Sequence, residues 1–180
     1  MKYIAFILLV WLGSQAGQNI YVCKNVNASL FSKAPLEDIA ASSTKGTSVF
    51  NPGTGELAFS IPIRSFQFEK SLMQEHFNEN YLESDKYPSA LFKGKLKEKL
   101  DLTKDDSYSV SATGVLDVHG VKQNREINGN IIVQNGVLTI SSAFQVLCKD
   151  HHIDIPQIVF KKIAERIDIK VTGTYSVIKK

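Results

Sequence analysis

The segment Leu147–Pro156, LCKDHHIDIP, concentrates groups that could bind a metal ion or take part in catalysis. It contains one thiol, two carboxylates and the adjacent histidines His151 and His152. A zinc site needs three or four such ligands that converge at about 2.0–2.3 Å from the ion. Whether these side chains converge depends on the elements that carry them, and those elements follow from the rest of the chain.

The N-terminal residues 1–16 have the composition of a secretory signal peptide. Lys2 gives a positive start, Tyr3–Leu12 is an unbroken apolar run, and Ser14 and Ala16 are small residues before a cleavage point. The apolar run is about half the length of a membrane-spanning helix. We therefore expect an exported protein, periplasmic or secreted, with no permanent membrane span after cleavage. An uncleaved N-terminal anchor is the alternative.

Residues 17–180 have the length of one domain with a sizeable core. The formal charge of the whole chain is +3, and its lysines are scattered instead of clustered, so nucleic acid is not an expected partner. Cys23 and Cys148 would lie in an oxidising compartment after export, where a disulfide is permitted. Two separately buried thiols are the alternative, because the sequence does not give the distance between the two residues.

The dominant hydrophobic period of residues 17–180 is two. Apolar residues alternate with polar ones through runs such as 57–63, 110–118 and 167–177, and turn signals such as His119-Gly120 and Asn135-Gly136 separate the runs. This alternation is typical of strands with one buried and one solvated face. Many short strands joined by tight turns predict an antiparallel sandwich or barrel.

The strand pattern argues against a metal site in the opening segment. If the strand before it continues, Cys148, Asp150 and His152 share one face and His151 points to the other. Neighbours on one face of a strand are roughly 6.6 Å apart, so a metal would need a further ligand such as His76. The segment is therefore interpreted as a polar turn or barrel rim, and no catalytic or metal-binding residue is assigned.

One segment, Glu69–Ser84, lacks alternation and predicts a short helix. Leu72, Met73, His76, Phe77 and Tyr81 recur at spacings of three and four residues, which would give the helix one apolar face. In a barrel such a helix would cover the open end. It is either a lid over a ligand or a simple connector.

Three stretches of the chain carry a resemblance to a known family. They are MQEHF at residues 73–77, YLESDKYPSALFKG at 81–94 and GVLDVHGVK at 114–122. In this order they resemble the YceI-like family of exported bacterial proteins. The resemblance implies an all-β fold, an extended eight-stranded antiparallel lipocalin-like barrel with one short helix between strands. It also implies a non-catalytic protein that binds a long isoprenoid or related lipid in its bore.

If the bore is open, alternation identifies the side chains that would line it. The predicted tunnel residues are Leu57, Phe59, Phe92, Leu96, Leu116, Ile131, Ile140, Phe144, Ile169, Val171 and Tyr175. The predicted rim or lid residues are Met73, Phe77 and His119, although for His119 a role in the turn alone is the favoured explanation. Beyond a bound isoprenoid lipid or quinone, no cofactor is expected.

Two other functions stay open at this point. Alternation does not decide whether a barrel interior is filled, and a filled barrel would act through its outer surface as a structural or interaction protein. A metal-dependent hydrolase is the third interpretation, and it depends on the opening segment. The sequence identifies neither the lipid head group nor the oligomeric state.

Overall fold

The structure is a computed structural model that describes residues 19–33, 38–154 and 165–178. The strands are β1 (Ile20–Ser32), β2 (Ile39–Asn51), β3 (Glu56–Pro62), β4 (Gln67–Phe68), β5 (Ser89–Leu96), β6 (Asp106–Val118), β7 (Val121–Gln134), β8 (Val137–Leu147) and β9 (Arg166–Ile178). The helical elements are α1 (Ser71–His76), a π-helical turn (Phe77–Tyr81) and two 3-10 turns (Ile63–Ser65 and Cys148–His151). The predicted signal peptide and Pro156 lie outside the described residues.

The strands form one antiparallel sheet that closes on itself. Its order is β1-β9-β8-β7-β6-β5-β3-β2, and β1 also pairs with β2, so eight strands make a barrel while the two-residue β4 adds to β2. Closure pairs each of these eight strands with a neighbour on both sides along at least part of its length. The predicted fold, an eight-stranded antiparallel barrel with one short helix, is confirmed.

Tight turns connect the strands at the positions that the sequence indicated. His119 and Gly120 have φ values of 54° and 72°, and Asn135 and Gly136 have values of 51° and 74°. Two consecutive residues with positive φ form the two-residue turns whose twist matches that of the flanking strands. These turns fix the register of β6 with β7 and of β7 with β8.

The connections that contain helical turns gather at one end of the barrel. The segment between β3 and β5 carries α1 and the π-helical turn, and the 3-10 turn Cys148–His151 follows β8 at the same end. We call this the helical end, and we call the end with the Asn51–Glu56 and Asn135–Gly136 hairpins the hairpin end. Within the described chain, no helix is long and apolar enough to span a bilayer.

Candidate functional site

The barrel contains an apolar cavity of about 190 Å³ that reaches the helical end. Apolar side chains from seven of the eight strands of the closed sheet, all except β2, line it, and only a few polar residues of β7 and β8 interrupt the lining. Alternation produces this lining, because each strand sends every second side chain inward. An apolar cavity of similar size, about 150 Å³, stays dry and binds small hydrocarbons in another protein.

The hairpin end of the barrel is filled. Phe50 and Val26 are fully buried there, and Leu138 is 1% exposed, yet none of them lines the cavity. The hydroxyl of Tyr175 and that of Ser48 are 2.6 Å apart in the same buried region. The bore is therefore packed at one end and open at the other.

The segment between β3 and β5 covers the cavity at the helical end. Phe66, Phe77 and Leu82 line the cavity from the helical end. The ring centroids of Phe66 and Phe77 are 5.7 Å apart, and those of Phe68 and Phe77 are 4.9 Å apart. These edge-to-face and tilted contacts hold an apolar cover over the bore. We call residues 66–84 the cover segment.

The predicted apolar face of the helix is wrong at two positions. Leu72 is 59% exposed and His76 is also exposed, whereas Phe77 and Leu82 point to the cavity. The change from α1 to the π-helical turn at Phe77 shifts the helical phase, because a π-turn has more residues per turn than an α-helix. A regular period of 3.6 residues could not predict this shift.

A polar cluster joins the cover segment to the turn between β6 and β7. His119 Nε2 lies 2.9 Å from Glu83 Oε2, and His119 Nδ1 lies 3.1 Å from the carbonyl oxygen of His151. The Tyr87 ring packs against the His119 ring with centroids 4.7 Å apart. Both ring nitrogens of His119 face oxygen acceptors, so the two hydrogen bonds form together when the imidazole is protonated. His119 therefore holds the cover instead of lining the cavity.

The opening segment of the sequence analysis forms a turn at this rim. The chain leaves β8 at Leu147 and enters the 3-10 turn Cys148–His151, and His152 takes a left-handed conformation with φ of 52°. The expectation of a turn or rim is confirmed. The strand-like continuation was wrong, because the chain curls before Asp150 and the alternating faces no longer exist.

His151 is the buried member of this segment. Its side chain is fully buried, and its Nδ1 lies 3.2 Å from the Val118 carbonyl oxygen and 3.1 Å from that of Val121. Carbonyl oxygens only accept, so Nδ1 carries the proton and donates to both. Within the described residues Nε2 has no hydrogen-bond partner. Burial lowers the pKa of His151, while the two carbonyl contacts oppose that shift.

The possible metal ligands do not converge, and the two thiols stay separate, in the part of the chain that the structure describes. No set of three or more His, Cys, Asp or Glu side chains is placed to hold a metal ion there. Cys23 and Cys148 are separately buried free thiols, which was the alternative to a disulfide. Burial raises the pKa of the Cys148 thiol, so the reactive thiolate is disfavoured.

Ten of the eleven predicted tunnel residues line the cavity, and Tyr175 does not, because it lies in the packed hairpin end. Of the three predicted rim residues, Phe77 lines the cavity, while Met73 is half-buried in α1 and His119 belongs to the polar cluster. Their contact with a lipid stays a prediction.

The sequence analysis missed several lining residues. Val110 and Ala112 belong to an alternating run and could have been included on that signal. Phe66 and Leu82 lie in irregular segments, where no hydrophobic period shows which side chain points inward.

Comparison with known proteins gives a family and a fold. The model of the YceI-like domain family matches residues 28–175. A polyisoprenoid-binding domain from Saccharophagus degradans, implicated in plant cell wall breakdown, superposes with a TM-score of 0.71 at 14% identity and covers 88% of this chain and 98% of its own. BcnA of Burkholderia cenocepacia gives 0.70 at 14% identity, covering 84% and 96%. The YceI protein of Campylobacter jejuni gives 0.60 at 18% identity, covering 78% and 85%. No curated protein sequence matches the chain.

Proposed function

Because the chain belongs to the family of YceI-like domains, we propose that it binds a long apolar lipid, of the polyisoprenoid or isoprenoid quinone class, inside its barrel and catalyses no reaction. The observation that carries the proposal is the apolar cavity that reaches the helical end. Removal of isoprene units from water supplies the driving force, at about 25 cal/mol per Å² of apolar surface.

The shape of the cavity supports a slender, flexible tail as the ligand. The cavity lining extends from Phe66 and Phe77 of the cover segment to Leu57 and Leu96 near the hairpin end, while the buried Phe50 and Leu138 do not belong to it. Its lining offers almost no hydrogen-bonding group, so a compact polar molecule would lose its hydration without compensation. A structural relative from Saccharophagus degradans is described as a polyisoprenoid-binding domain, which agrees with this ligand class.

The lining also supports binding without chemistry. General acid–base or nucleophilic catalysis needs a titratable or nucleophilic side chain within hydrogen-bond reach of the substrate. The cavity wall is built from aliphatic and aromatic side chains, with Ser141, Ser142 and Asn128 as its polar members. None of these three is paired with a base in a described hydrogen bond.

We propose that the protein is exported, on the strength of the apolar run Tyr3–Leu12 and the small residues that follow it. Determination of the N-terminus of protein recovered from cells tests this. A start near Gly17 in the periplasmic or secreted fraction is the expected result. Full-length protein retained in the cytoplasm would contradict it.

Lipid extraction from natively purified protein tests the binding function. Mass spectrometry of the organic extract should find one polyprenyl or quinone species, and delipidated protein should take up a polyprenol supplied from cyclodextrin. Protein that is always purified empty and takes up no polyprenol would contradict the proposal. A barrel that acts through its outer surface would then be the better interpretation.

A further inference from the structure

The barrel wall has a seam between β7 and β8. β6 and β7 pair along their full length, from Val118↔Val121 to Asp106↔Val133. β7 pairs with β8 only from Gly129↔Ser142 to Gln134↔Val137, although β8 stays paired with β9 as far as Leu147. Residues 121–128 of β7 therefore have no backbone ladder to β8. We call this unpaired stretch the seam.

Side chains bridge the seam where the ladder is missing. Three of them donate hydrogen bonds to backbone carbonyls across it: Ser142 Oγ to Asn128 at 2.6 Å, Arg125 Nη2 to Gln145 at 2.7 Å, and Gln123 Nε2 to Asp150 at 2.8 Å. The two neutral bonds contribute only about 0.5–1.5 kcal/mol net each and the bond from the charged Arg125 about 1.5–3 kcal/mol, and all three can re-form with water when they open. The wall is weaker here than where a continuous ladder joins two strands.

A polar depression lies on the outside of the barrel, where the β7–β8 ladder ends at Gly129↔Ser142. Its lining includes Glu98 and Lys170 together with amide and hydroxyl side chains, namely Ser109, Ser111, Asn128, Asn130, Ser141 and Ser142. Five of its lining residues also line the apolar cavity inside, namely Val110, Asn128, Gly129, Ser141 and Ser142. Asn128 is exposed to solvent and still reaches the cavity, so the wall is a single layer of backbone at this point.

The charges of the depression favour an uncharged ligand group. It has one carboxylate, Glu98, and one ammonium, Lys170, which balance each other. Glu98 Oε2 already accepts a hydrogen bond from the Ser111 backbone N–H at 3.0 Å. The nearby Glu126 is paired with Lys97 at 2.6 Å. The remaining groups donate and accept hydrogen bonds without charge, as a hydroxyl or carbonyl head group requires.

We propose that this depression holds the uncharged polar head group, a hydroxyl or a carbonyl, of the lipid whose tail occupies the cavity, and that the tail crosses the wall at the seam beside Gly129 and Ser142. This inference rests on the proposed lipid-binding function. It places the head group at the side of the barrel, and it assigns selection among isoprenoid lipids to Asn130, Lys170 and their neighbours instead of to the cover segment.

Binding of three ligands to the wild type and to two matched double variants tests the head-group site. Geranylgeraniol, the hydrocarbon phytane with the same number of carbon atoms but no hydroxyl, and geranylgeranyl diphosphate are supplied from cyclodextrin, and their dissociation constants are measured by partition of labelled ligand. The site variant is Asn130→Ala with Lys170→Met. The control is Asn124→Ala with Lys93→Met, which removes the same side chains from exposed positions outside the depression.

We expect the wild type to bind geranylgeraniol about tenfold more tightly than phytane, and the diphosphate no more tightly than the alcohol. The site variant should lose the preference for the alcohol and keep its affinity for phytane, and the control should behave as the wild type. A preference that survives in the site variant, or tighter binding of the diphosphate, would overturn the head-group site. Failure of both phytane and geranylgeraniol to bind would instead overturn the lipid-binding function on which it rests.

A reversible cross-link tests the crossing point. Continuation of the register places Asn128 opposite Ala143, directly beyond the last pair of the ladder. In the Asn128→Cys, Ala143→Cys variant, oxidation should slow the uptake of phytane by at least about tenfold. Reduction should restore the rate of uptake in the same molecules. A variant that had lost its fold would stay slow after reduction, so the two causes are distinguished. Equal rates in the oxidised and reduced states would show that the tail does not cross the seam.

Discussion

The hydroxyl of Tyr175 donates a hydrogen bond to Ser48 Oγ at 2.6 Å, across the interior of the barrel from β9 to β2. These two strands are not neighbours, because β1 lies between them. Burial raises the pKa of Tyr175 well above its usual range, while the bond to Ser48 opposes that shift. The pair closes the hairpin end of the bore and separates the packed half of the barrel from the open half.

Tyr175→Phe should lower the free energy of unfolding by about 1 kcal/mol at neutral pH, because one buried hydrogen bond is lost. The folded-state pKa is raised, so the stability that neutral Tyr175 contributes is fully present below the unfolded pKa of about 10 and is lost as the pH rises through the folded-state value. The difference between wild type and variant should therefore shrink above about pH 10. Urea unfolding of the wild type and the variant at neutral pH and above about pH 10 measures this difference in stability.

Tyr21→Phe is the control for this prediction, because it removes a hydroxyl from a less buried tyrosine that contacts Phe50 at the same end. A difference between wild type and the Tyr175 variant that stayed constant with pH would mean that Tyr175 titrates as it does in the unfolded chain.

Phe144→Trp should weaken lipid binding more than it weakens folding, because Phe144 is half-buried at the cavity wall and the larger ring enters free space. Val26→Leu is the matched enlargement in the packed half, where Val26 is fully buried. Overpacking there should cost about 1–3 kcal/mol of stability and leave lipid affinity nearly unchanged. Urea unfolding and polyprenol uptake, measured on both variants, separate the two effects. The opposite ranking would indicate that the cavity is closed in solution.

Glu83→Gln should make the cover segment open more often without loss of fold, because it weakens the contact between this segment and His119. A partly exposed pair of this kind contributes at most about 1 kcal/mol, which corresponds to a change of roughly fivefold in the opening equilibrium. Release of labelled polyprenol to excess vesicles measures the rate. Glu79→Gln, which makes the same substitution at an exposed position of the cover segment, is the control. Because the proposed seam admits the lipid, we expect neither variant to change the rate, and faster release from Glu83→Gln alone would show that the lipid leaves past the cover segment.

His151→Ala should lower the free energy of unfolding by about 2–4 kcal/mol, because it leaves a cavity and removes the donor to two carbonyl oxygens. The exposed His152 should tolerate replacement, and His152→Gly should be neutral or slightly stabilising because of its positive φ. Equal losses in the two variants, measured by urea unfolding, would contradict the assigned geometry.

The buried His151 also predicts acid sensitivity. Its pKa is lowered in the folded state, so its contribution to stability is fully present above the unfolded pKa of about 6.5 and is lost as the pH falls through the folded-state value. His151→Gln should therefore flatten the stability profile between about pH 7.5 and pH 5 relative to wild type. An unchanged slope in the variant would assign the acid sensitivity to other groups.

The sequence by itself determined the face of each strand. Phe92, Phe144 and Tyr175 were all predicted to point inward from alternation, and all three do. Turn residues were equally readable, since His119-Gly120 and Asn135-Gly136 adopt the positive φ values that tight hairpins require. These features are local, because a strand of period two and a two-residue turn depend on neighbouring residues only.

Only the tertiary structure decided how far along the bore each inward side chain lies and which distant elements contact one another. Alternation assigns Phe144 and Tyr175 to the same face, but only the barrel geometry places Phe144 at the open cavity and Tyr175 in the packed end. The burial of His151 follows from contacts with the turn between β6 and β7, which lies about thirty residues away along the chain. The seam exists because β7 separates from β8 while it stays paired with β6, and no residue pattern within one strand records where its neighbour departs.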